Sequence, residues 1–190
     1  MADHSSNEAF LKFVEFFNSL PVAERYPLGK AFHAATGGKL SPHNNPLTVA
    51  VAIVRVKDED GSVKLLGLKR GIPPFVGGVA FPGGFTEYLE SAHDAAAREL
   101  KEELGLDLKG EDFEVFGNPL MSPTNNDLLF FMHREVFPKS ILEKVVLSSE
   151  AQELVLIDGA TEMCFSHHKG KSLAALGLAP AALPAKIYKA

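Results

Sequence analysis

The sequence predicts an α/β fold, a mixed β-sheet sandwiched between α-helices, with an N-terminal helical extension. Three observations lead to it: apolar β-branched stretches bounded by turn residues, two stretches of helical periodicity, and a break rich in Gly, Pro, Ser and Asn at residues 36–46. The 190-residue chain is 46% hydrophobic and 23% charged, which is typical of one globular domain with a small appendage. We therefore divide it into residues 1–45, a helical extension and linker, and residues 46–190, the main domain.

The extension carries an apolar stripe at helical spacing, which predicts an amphipathic helix over residues 7–20 that ends at Pro21. A second helical piece is predicted over residues 27–35. Large apolar side chains are costly to leave in water, so we expect the main domain or a second copy of the chain to cover the stripe. We hypothesise a homodimer to which residues 1–35 contribute. The stripe consists of Phe10, Phe13, Val14, Phe17 and Leu20.

The main domain is predicted to run as strands, a helix, strands and a helix. Its central helix starts at Ser91, which forms a capping-box-like pair with Asp94, and stops at Gly105. The alternation of strands and helices favours a mixed α/β domain. Strands are predicted at residues 47–56, 62–70, 79–81, 113–120, 127–137 and 151–158, and a closing helix at 171–178.

Charge and cysteine content restrict the class of protein. A net charge of −5 argues against a general nucleic-acid binder, which normally carries a basic patch. Cys164 is the single cysteine, so neither an intramolecular disulfide nor a cysteine zinc cluster is available. The first residues are polar, and no apolar run approaches the ~18 residues of a spanning helix. We therefore expect a cytoplasmic protein without a membrane span.

Three glutamates crowd onto the central helix behind a pair of glycines. At about 100° per residue, Glu99, Glu102 and Glu103 share one narrow face. Like charges at this spacing are mildly destabilising, so a cation is expected to compensate them. Carboxylate oxygens beside a glycine-rich turn suit Mg²⁺. On the charges alone, an ordinary solvated acidic face is an equally good interpretation.

The spacing of this stretch resembles the Nudix box, complete over residues 84–106. The similarity to the Nudix hydrolase family extends over about residues 47–165 and leaves residues 1–45 outside. The resemblance implies a Nudix fold and hydrolysis of the pyrophosphate bond in a nucleoside diphosphate linked to another moiety. The matching residues are Gly84, Glu90, Arg98, Glu99, Leu100, Glu102, Glu103, Gly105 and Leu106.

The resemblance also assigns roles. Gly84, Glu99, Glu102 and Glu103 would hold Mg²⁺, with Mn²⁺ as the alternative ion. A structural ion pair is implied between Glu90 and Arg98.

The implied catalytic residues are Glu102, Glu103 and Glu153. The general base is left open between Glu102 and two glutamates ahead of the last strand, Glu150 and Glu153. The neighbouring His167 and His168 are interpreted as a solvated turn.

Substrate contacts are predicted at the end of the second strand and in the glycine-rich turn. Arg70 is placed to meet a phosphate, and Gly83 to offer backbone groups. Phe81, together with Phe75 and Tyr88, offers a ring for adenine. The stretch at residues 70–87 resembles enzymes that act on ADP-ribose, so ADP-ribose or a dinucleotide-like substrate is favoured.

One departure from the family pattern complicates this assignment. The proline found beyond the box in ADP-ribose enzymes is bracketed by Pro119 and Pro123 without being matched. The alternative function is a Nudix-fold sensor or regulator that binds a nucleotide without cleaving it. RNA-cap hydrolysis is disfavoured by the acidic net charge.

Overall fold

The chain divides into two compact units, Met1–Pro46 and Leu47–Ala190. The computed structural model describes residues 47–87, 90–122 and 126–178 of the second unit. Of the first unit it describes residues 12, 15–17, 19–21, 24, 27, 28, 31, 34 and 35.

Eight strands of the second unit form one mixed sheet, accompanied within the described residues by two α-helices and two 3₁₀ segments. The strands are β1 Leu47–Lys57, β2 Val63–Arg70, β3 Val79–Ala80, β4 Gly83–Phe85, β5 Phe113–Val115, β6 Leu120–Met121, β7 Asn126–Pro138 and β8 Ala151–Ile157. The helices are α1 Ala92–Leu104 and α2 Ser166–Ala175, and the 3₁₀ segments are Gly110–Asp112 and Lys139–Lys144.

Strand β1 is the centre of this sheet. The strand order of the sheet is β3-β2-β1-β7-β5, and in addition β4 pairs with β1, β6 with β7 and β8 with β2. The β1–β7 pairing is parallel and the others are antiparallel, so the sheet is mixed. Near its start β1 pairs with β4, in the register Val51↔Gly83 and Ala50↔Gly84. Gly83 and Gly84, which precede helix α1 in the chain, are thereby held against the middle of the sheet.

The side chains of β1 alternate between two apolar cores, one on each face of the sheet. Ala52 and Val54 belong to the core that includes Leu100 of α1. Val51 and Ile53 belong to the opposite core, against which Ala175 of α2 packs. A strand buried on both faces needs a continuous apolar run, as β1 has. The predicted sheet between helices is thus confirmed.

The predicted order of strands and helices is confirmed, with three local differences. The predicted strand at 113–120 is broken into β5 and β6 by a turn in which Gly117 adopts φ 71°. The predicted closing helix at 171–178 begins earlier, at Ser166, and continues through Gly170. Residues Gly83 and Gly84, expected in a turn, belong to strand β4 because they pair with β1.

The described residues of the first unit are largely helical. Lys12, Glu15, Phe16, Phe17 and Ser19 lie in helix, and the Phe17 side chain is fully buried. Phe10, Phe13 and Val14 of the predicted stripe lie outside the described residues. Nothing in the described part of either unit forms a helix long and apolar enough to cross a membrane.

Candidate active site

Helix α1 is fixed at both ends by the residues that the sequence predicts. The Ser91 hydroxyl accepts a hydrogen bond of 3.1 Å from the Asp94 backbone N–H and satisfies a free donor of the first turn. At the other end Gly105 adopts φ 72°, and its N–H donates to the Lys101 carbonyl at 2.9 Å. The predicted start and stop of this helix are confirmed.

One face of α1 is apolar and packs on the sheet, and the adjacent face carries the three glutamates. They differ greatly in exposure: Glu103 is only 7% exposed, while the Glu102 side chain is 58% exposed. Glu99 lies between them, half-buried. The apolar face consists of Ala95, Ala96, Ala97, Leu100 and Leu104.

Arg98 holds the loop before α1 against the helix. It contacts Glu90 through two hydrogen bonds, Nε to Oε1 at 2.8 Å and Nη2 to Oε2 at 3.0 Å. The same guanidinium donates to the Phe85 carbonyl at 2.9 Å, to Glu99 at 2.7 Å and to Glu102 at 3.1 Å. A planar cation with several donors suits such a junction. The structure therefore contains the ion pair implied by the resemblance, joined to two of the box carboxylates.

Glu103 is buried beside the glycine pair. Its Oε2 accepts a hydrogen bond of 3.0 Å from the Gly83 backbone N–H. Burial raises the pKa of Glu103 to about 7; the Gly83 bond opposes this increase, and the charges of Glu99 and Glu150 add to it. This carboxylate is therefore poorly compensated when no cation is bound.

The Glu99 carboxylate lies directly against Gly84. A Cβ at position 84 would overlap the Glu99 carboxyl group, with Oε2 only 2.7 Å away. Burial raises the pKa of Glu99, the hydrogen bond from Arg98 lowers it, and the charges of Glu102 and Glu150 raise it further. Glycine is needed here because any side chain would displace the carboxylate from the backbone.

These groups fit a divalent cation. The buried Glu103 and the half-buried Glu99 have raised pKa values and lie beside a backbone with no side chain in the way, so they are hard oxygen donors of the type Mg²⁺ prefers. Among the described residues no three His, Cys, Asp or Glu side chains are already gathered into a metal site. Both Glu99 and the more exposed Glu102 contact Arg98, so each would exchange or share that contact on binding a metal.

The two later glutamates occupy different surroundings. Glu153 lies on β8 opposite Lys69 of β2 and forms an ion pair with it. Glu150 lies in the preceding turn, and its charge raises the pKa of both Glu99 and Glu103. Its carbonyl accepts a hydrogen bond of 2.6 Å from the Gly71 N–H. The charge of Glu150 therefore acts on two of the box carboxylates, while Glu153 is paired with Lys69.

The predicted substrate residues are also separated by the fold. Arg70, at the end of β2, lies close enough for its charge to lower the pKa of Glu103. The Phe81 ring is 3% exposed and belongs to the core that contains Val51 and Ile53, on the α2 side of the sheet. It therefore has no free face for a base. Tyr88 lies outside the described residues. The expectation that Phe81 stacks on adenine is therefore corrected by its burial.

The interpretation of the two histidines as a solvated turn was wrong for His168. It lies in α2, is 7% exposed, and its Nδ1 accepts a hydrogen bond of 3.1 Å from the Phe81 N–H. Burial lowers the pKa of His168 to about 3, and the charges of His167 and Arg70 lower it further. A neutral imidazole with its proton on Nε2 follows. The burial of His168 follows from the tertiary packing of α2, and local spacing in the sequence gives no signal for it.

A cavity of about 470 Å³ lies at the far end of α1, and none of the box glutamates lines it. Its walls come from Gly105, Leu106, Asp107, Leu108, Phe137, Pro138, Ser140, Ile141 and Lys144.

Comparisons of the chain with known proteins agree on one family. The profile described as NUDIX domain matches residues 46–160, which include the whole box. The chain is 30% identical over 121 residues to a protein named ADP-ribose pyrophosphatase from Methanocaldococcus jannaschii, covering 63% of this chain and 69% of that one.

Solved structures share the fold. The NUDIX domain of Shewanella oneidensis NrtR, in complex with ADP ribose, has a TM-score of 0.55 at 17% identity and covers 77% of this chain and 97% of that one. A NUDIX hydrolase from Nitrosomonas europaea has a TM-score of 0.54 at 19% identity, covering 71% of this chain and 72% of that one. At these identities the likeness concerns the fold alone.

Proposed function

The chain belongs to the Nudix family, and from that we propose that it is a Mg²⁺-dependent pyrophosphohydrolase of a nucleoside diphosphate linked to another moiety. ADP-ribose or a dinucleotide-like compound is the favoured substrate. The observation that supports the proposal is the pair of carboxylates with raised pKa values, the buried Glu103 and the half-buried Glu99, against the glycines of β4. Such a pair suits a divalent cation, and a cation there would attract the phosphates of a nucleotide substrate.

Glu99 and Glu103, with the Gly84 carbonyl and Glu102, would hold the metal. A bound Mg²⁺ supplies neutralisation of the pyrophosphate charge and lowers the pKa of an attacking water. Hydrogen bonds from the Gly83 N–H and from Arg98 would hold Glu103 and Glu99, respectively, in place for the metal. Arg98 also bonds the Phe85 carbonyl and so fixes strand β4, which carries the two glycines.

Glu150 is our choice of general base. In the proposed reaction water attacks one phosphorus, a bridging P–O bond breaks, and the proton lost by the water passes to the Glu150 carboxylate. For ADP-ribose the products would be AMP and ribose 5-phosphate. The support is that the charge of Glu150 raises the pKa of both Glu99 and Glu103, whereas Glu153 forms an ion pair with Lys69.

Two lines of support favour ADP-ribose among possible substrates. The relative from Methanocaldococcus jannaschii is named for that activity, and it shares 30% identity over 121 residues. Arg70 adds a cation whose charge acts on Glu103, which suits a substrate that carries phosphates. A nucleotide-binding sensor is the alternative, and the complete set of box glutamates argues for catalysis over binding alone.

The test is a product assay over a panel of ADP-ribose, dinucleotides, nucleoside triphosphates and a coenzyme A compound, with Mg²⁺, with Mn²⁺ and with EDTA. We expect AMP release from ADP-ribose that EDTA abolishes. The Glu143→Gln variant, which changes an exposed glutamate in a 3₁₀ segment, serves as the control and should behave like the unsubstituted protein. Tight nucleotide binding without any product would support the sensor instead.

We also propose, from the sequence alone, that residues 1–35 contribute to a homodimer. The support is the apolar stripe of the first predicted helix. Light scattering of the full chain and of a variant lacking residues 1–35 tests it. A monomeric full chain at micromolar concentration, or a deletion variant that stays dimeric, would refute the idea.

A further inference from the structure

The loop between β2 and β3, residues 71–78, presents an aromatic ring to solvent at some structural cost. The Phe75 side chain is 57% exposed. Its backbone adopts φ 62°, the left-handed region that bulky residues rarely occupy. Burial therefore does not explain why a phenylalanine stands at this position, and the positive φ is unfavourable for such a side chain. Strained residues of this kind persist where the surroundings impose them, and they cluster at ligand-binding sites.

Arg70 holds the loop in this conformation. Its Nε donates to the Pro74 carbonyl at 2.7 Å and its Nη2 to the Pro73 carbonyl at 3.2 Å. The backbone closes the loop as well, since the Gly77 N–H donates to the Arg70 carbonyl at 2.8 Å. The Phe75 ring is therefore carried by a hydrogen-bonded loop.

Phe165, at the start of α2, supports the exposed ring from one side. The Phe75 and Phe165 rings meet edge to face, with centroids 5.4 Å apart and planes at 83°. The Arg70 guanidinium lies 5.4 Å from the centre of the Phe165 ring. Phe165 in turn contacts the buried His168 ring at 5.0 Å. The aromatic unit is thus anchored in the core below the sheet.

The same loop is connected to the carboxylates. The Gly71 N–H donates to the Glu150 carbonyl at 2.6 Å, and the backbone approaches so closely that a Cβ on Gly71 would lie 2.7 Å from the Ser149 carbonyl oxygen. Arg70 influences the charge state of Glu103. Arg70 therefore links the Phe75 loop to the carboxylates, because its guanidinium bonds the loop backbone and its charge acts on Glu103.

We propose that Phe75, supported by Phe165 and Arg70, is the surface on which the nucleobase of the substrate stacks. This deepens the proposed function and rests on it. A base has a flat π-face that matches an exposed aromatic ring, whatever its pattern of hydrogen-bonding groups. The neighbouring cation suits the phosphates that a nucleotide carries on the same molecule. An apolar protein surface would cover the ring only, whereas a nucleotide would cover the ring and also bring an anion to Arg70.

Binding of AMP, compared with binding of ribose 5-phosphate, tests the proposal by calorimetry without requiring hydrolysis. Phe75→Leu removes the ring, Phe75→Tyr keeps it, and Val76→Ala trims an exposed apolar neighbour in the same loop as the control. We expect Phe75→Leu to weaken AMP binding about tenfold or more. Phe75→Tyr and Val76→Ala should stay within about twofold of the unsubstituted protein. Ribose 5-phosphate, which lacks a base, should bind all four proteins alike.

A further variant separates binding from folding. Phe75→Asn removes the ring and tolerates positive φ better than phenylalanine, so its Tm should be kept or raised while AMP binding is lost. Unchanged AMP binding in Phe75→Leu, or an equal loss with Val76→Ala or for ribose 5-phosphate, would overturn the proposal.

The failure of this proposal is distinguishable from that of the hydrolase. AMP binding that depends on Phe75 in a chain that releases no product would refute only the hydrolase. Hydrolysis of ADP-ribose with an unchanged KM in Phe75→Leu would refute only the stacking surface.

Discussion

The Gly83 N–H and the Glu103 carboxylate are joined by a 3.0 Å hydrogen bond that connects β4 to α1. Because Gly83 is paired with Val51 of β1, this bond ties the buried carboxylate to the centre of the sheet. A Cβ on Gly83 would meet the Ala50 carbonyl oxygen at 2.6 Å, so the close approach depends on glycine. The position of the Glu103 carboxylate therefore depends on Gly83 and Val51, both of which are distant from it in the sequence.

Removing the metal should make the protein less stable as the pH rises. The pKa of Glu103 is raised to about 7 from 4.5, so the stabilisation from its proton is complete below about pH 4.5 and lost as the pH passes 7. We expect Glu103→Gln, which lacks this loss, to be more stable than the unsubstituted protein by about 2 kcal/mol at pH 8, with little difference at pH 4. Urea unfolding in EDTA at both pH values measures it. Parallel stability profiles of the two proteins would contradict the prediction.

The substitution Glu103→Gln should lower turnover even though it should raise stability at alkaline pH. Removing the charge while keeping the volume weakens metal binding, so Glu103→Gln should lower kcat by at least about 10²-fold at saturating substrate and Mg²⁺. The Glu143→Gln variant provides the matched loss of one carboxylate elsewhere. Steady-state kinetics of both variants, after circular dichroism to check folding, provides the measurement. Near-normal turnover of Glu103→Gln would exclude the assigned metal role.

The general base is tested by a pair of substitutions only three positions apart. Glu150→Gln should reduce kcat by about 10²-fold or more, in the range of general-base contributions, and remove the acidic limb of the pH–rate profile. Glu153→Gln, which loses only a surface pair with Lys69, should stay within about twofold. An equal effect of the two substitutions, or a larger one for Glu153→Gln, would reverse our assignment.

The two glycines of β4 should fail in different ways when changed to alanine. In Gly84→Ala the new Cβ meets the Glu99 carboxyl group, a side-chain end that can move, so Mg²⁺ affinity should fall more than stability. In Gly83→Ala the Cβ meets the Ala50 carbonyl and the Val51 Cα, which belong to the sheet, so the unfolding free energy should fall by about 1–3 kcal/mol or more. Calorimetric Mg²⁺ titration and thermal unfolding of both variants distinguish the two effects.

Arg98 should not be replaceable by lysine. Lysine keeps the charge, yet it cannot make the two-point contact with Glu90 together with the bonds to Glu99 and the Phe85 carbonyl. Arg98→Lys should cost about 1–2 kcal/mol of unfolding free energy. A double-mutant cycle with Glu90→Gln checks the origin of this cost. Additive effects of the two substitutions would show that the pair does not carry it.

The box was readable from the sequence because its geometry is local. Helix spacing places Glu99 and Glu103 on one face, and the caps at Ser91 and Gly105 are signalled by residue type. The strands of the central hairpin were equally clear from their apolar β-branched runs.

Tertiary contacts lie outside what local spacing can predict. Our preference for Glu150 over Glu153 as the general base depends in part on the β2–β8 register, which pairs Glu153 with Lys69. Burial of Phe81 and His168 depends on α2 packing below the sheet, and local spacing carries no signal for it.

The parallel pairing of β1 with β7 has a consequence for synthesis of the chain. Leu47 of β1 is in register with Asn126 of β7, so the central strand gains its main partner only after the whole box has been made. Until then the acidic helix has no completed sheet to bury its apolar face, and contacts between residues so distant in sequence form slowly. We expect chains arrested on the ribosome shortly before β7 to remain sensitive to protease across residues 83–106, and chains that expose all of β7 to be resistant. Early protection of the box in the shorter chains would show that it acquires its form as an autonomous unit during translation.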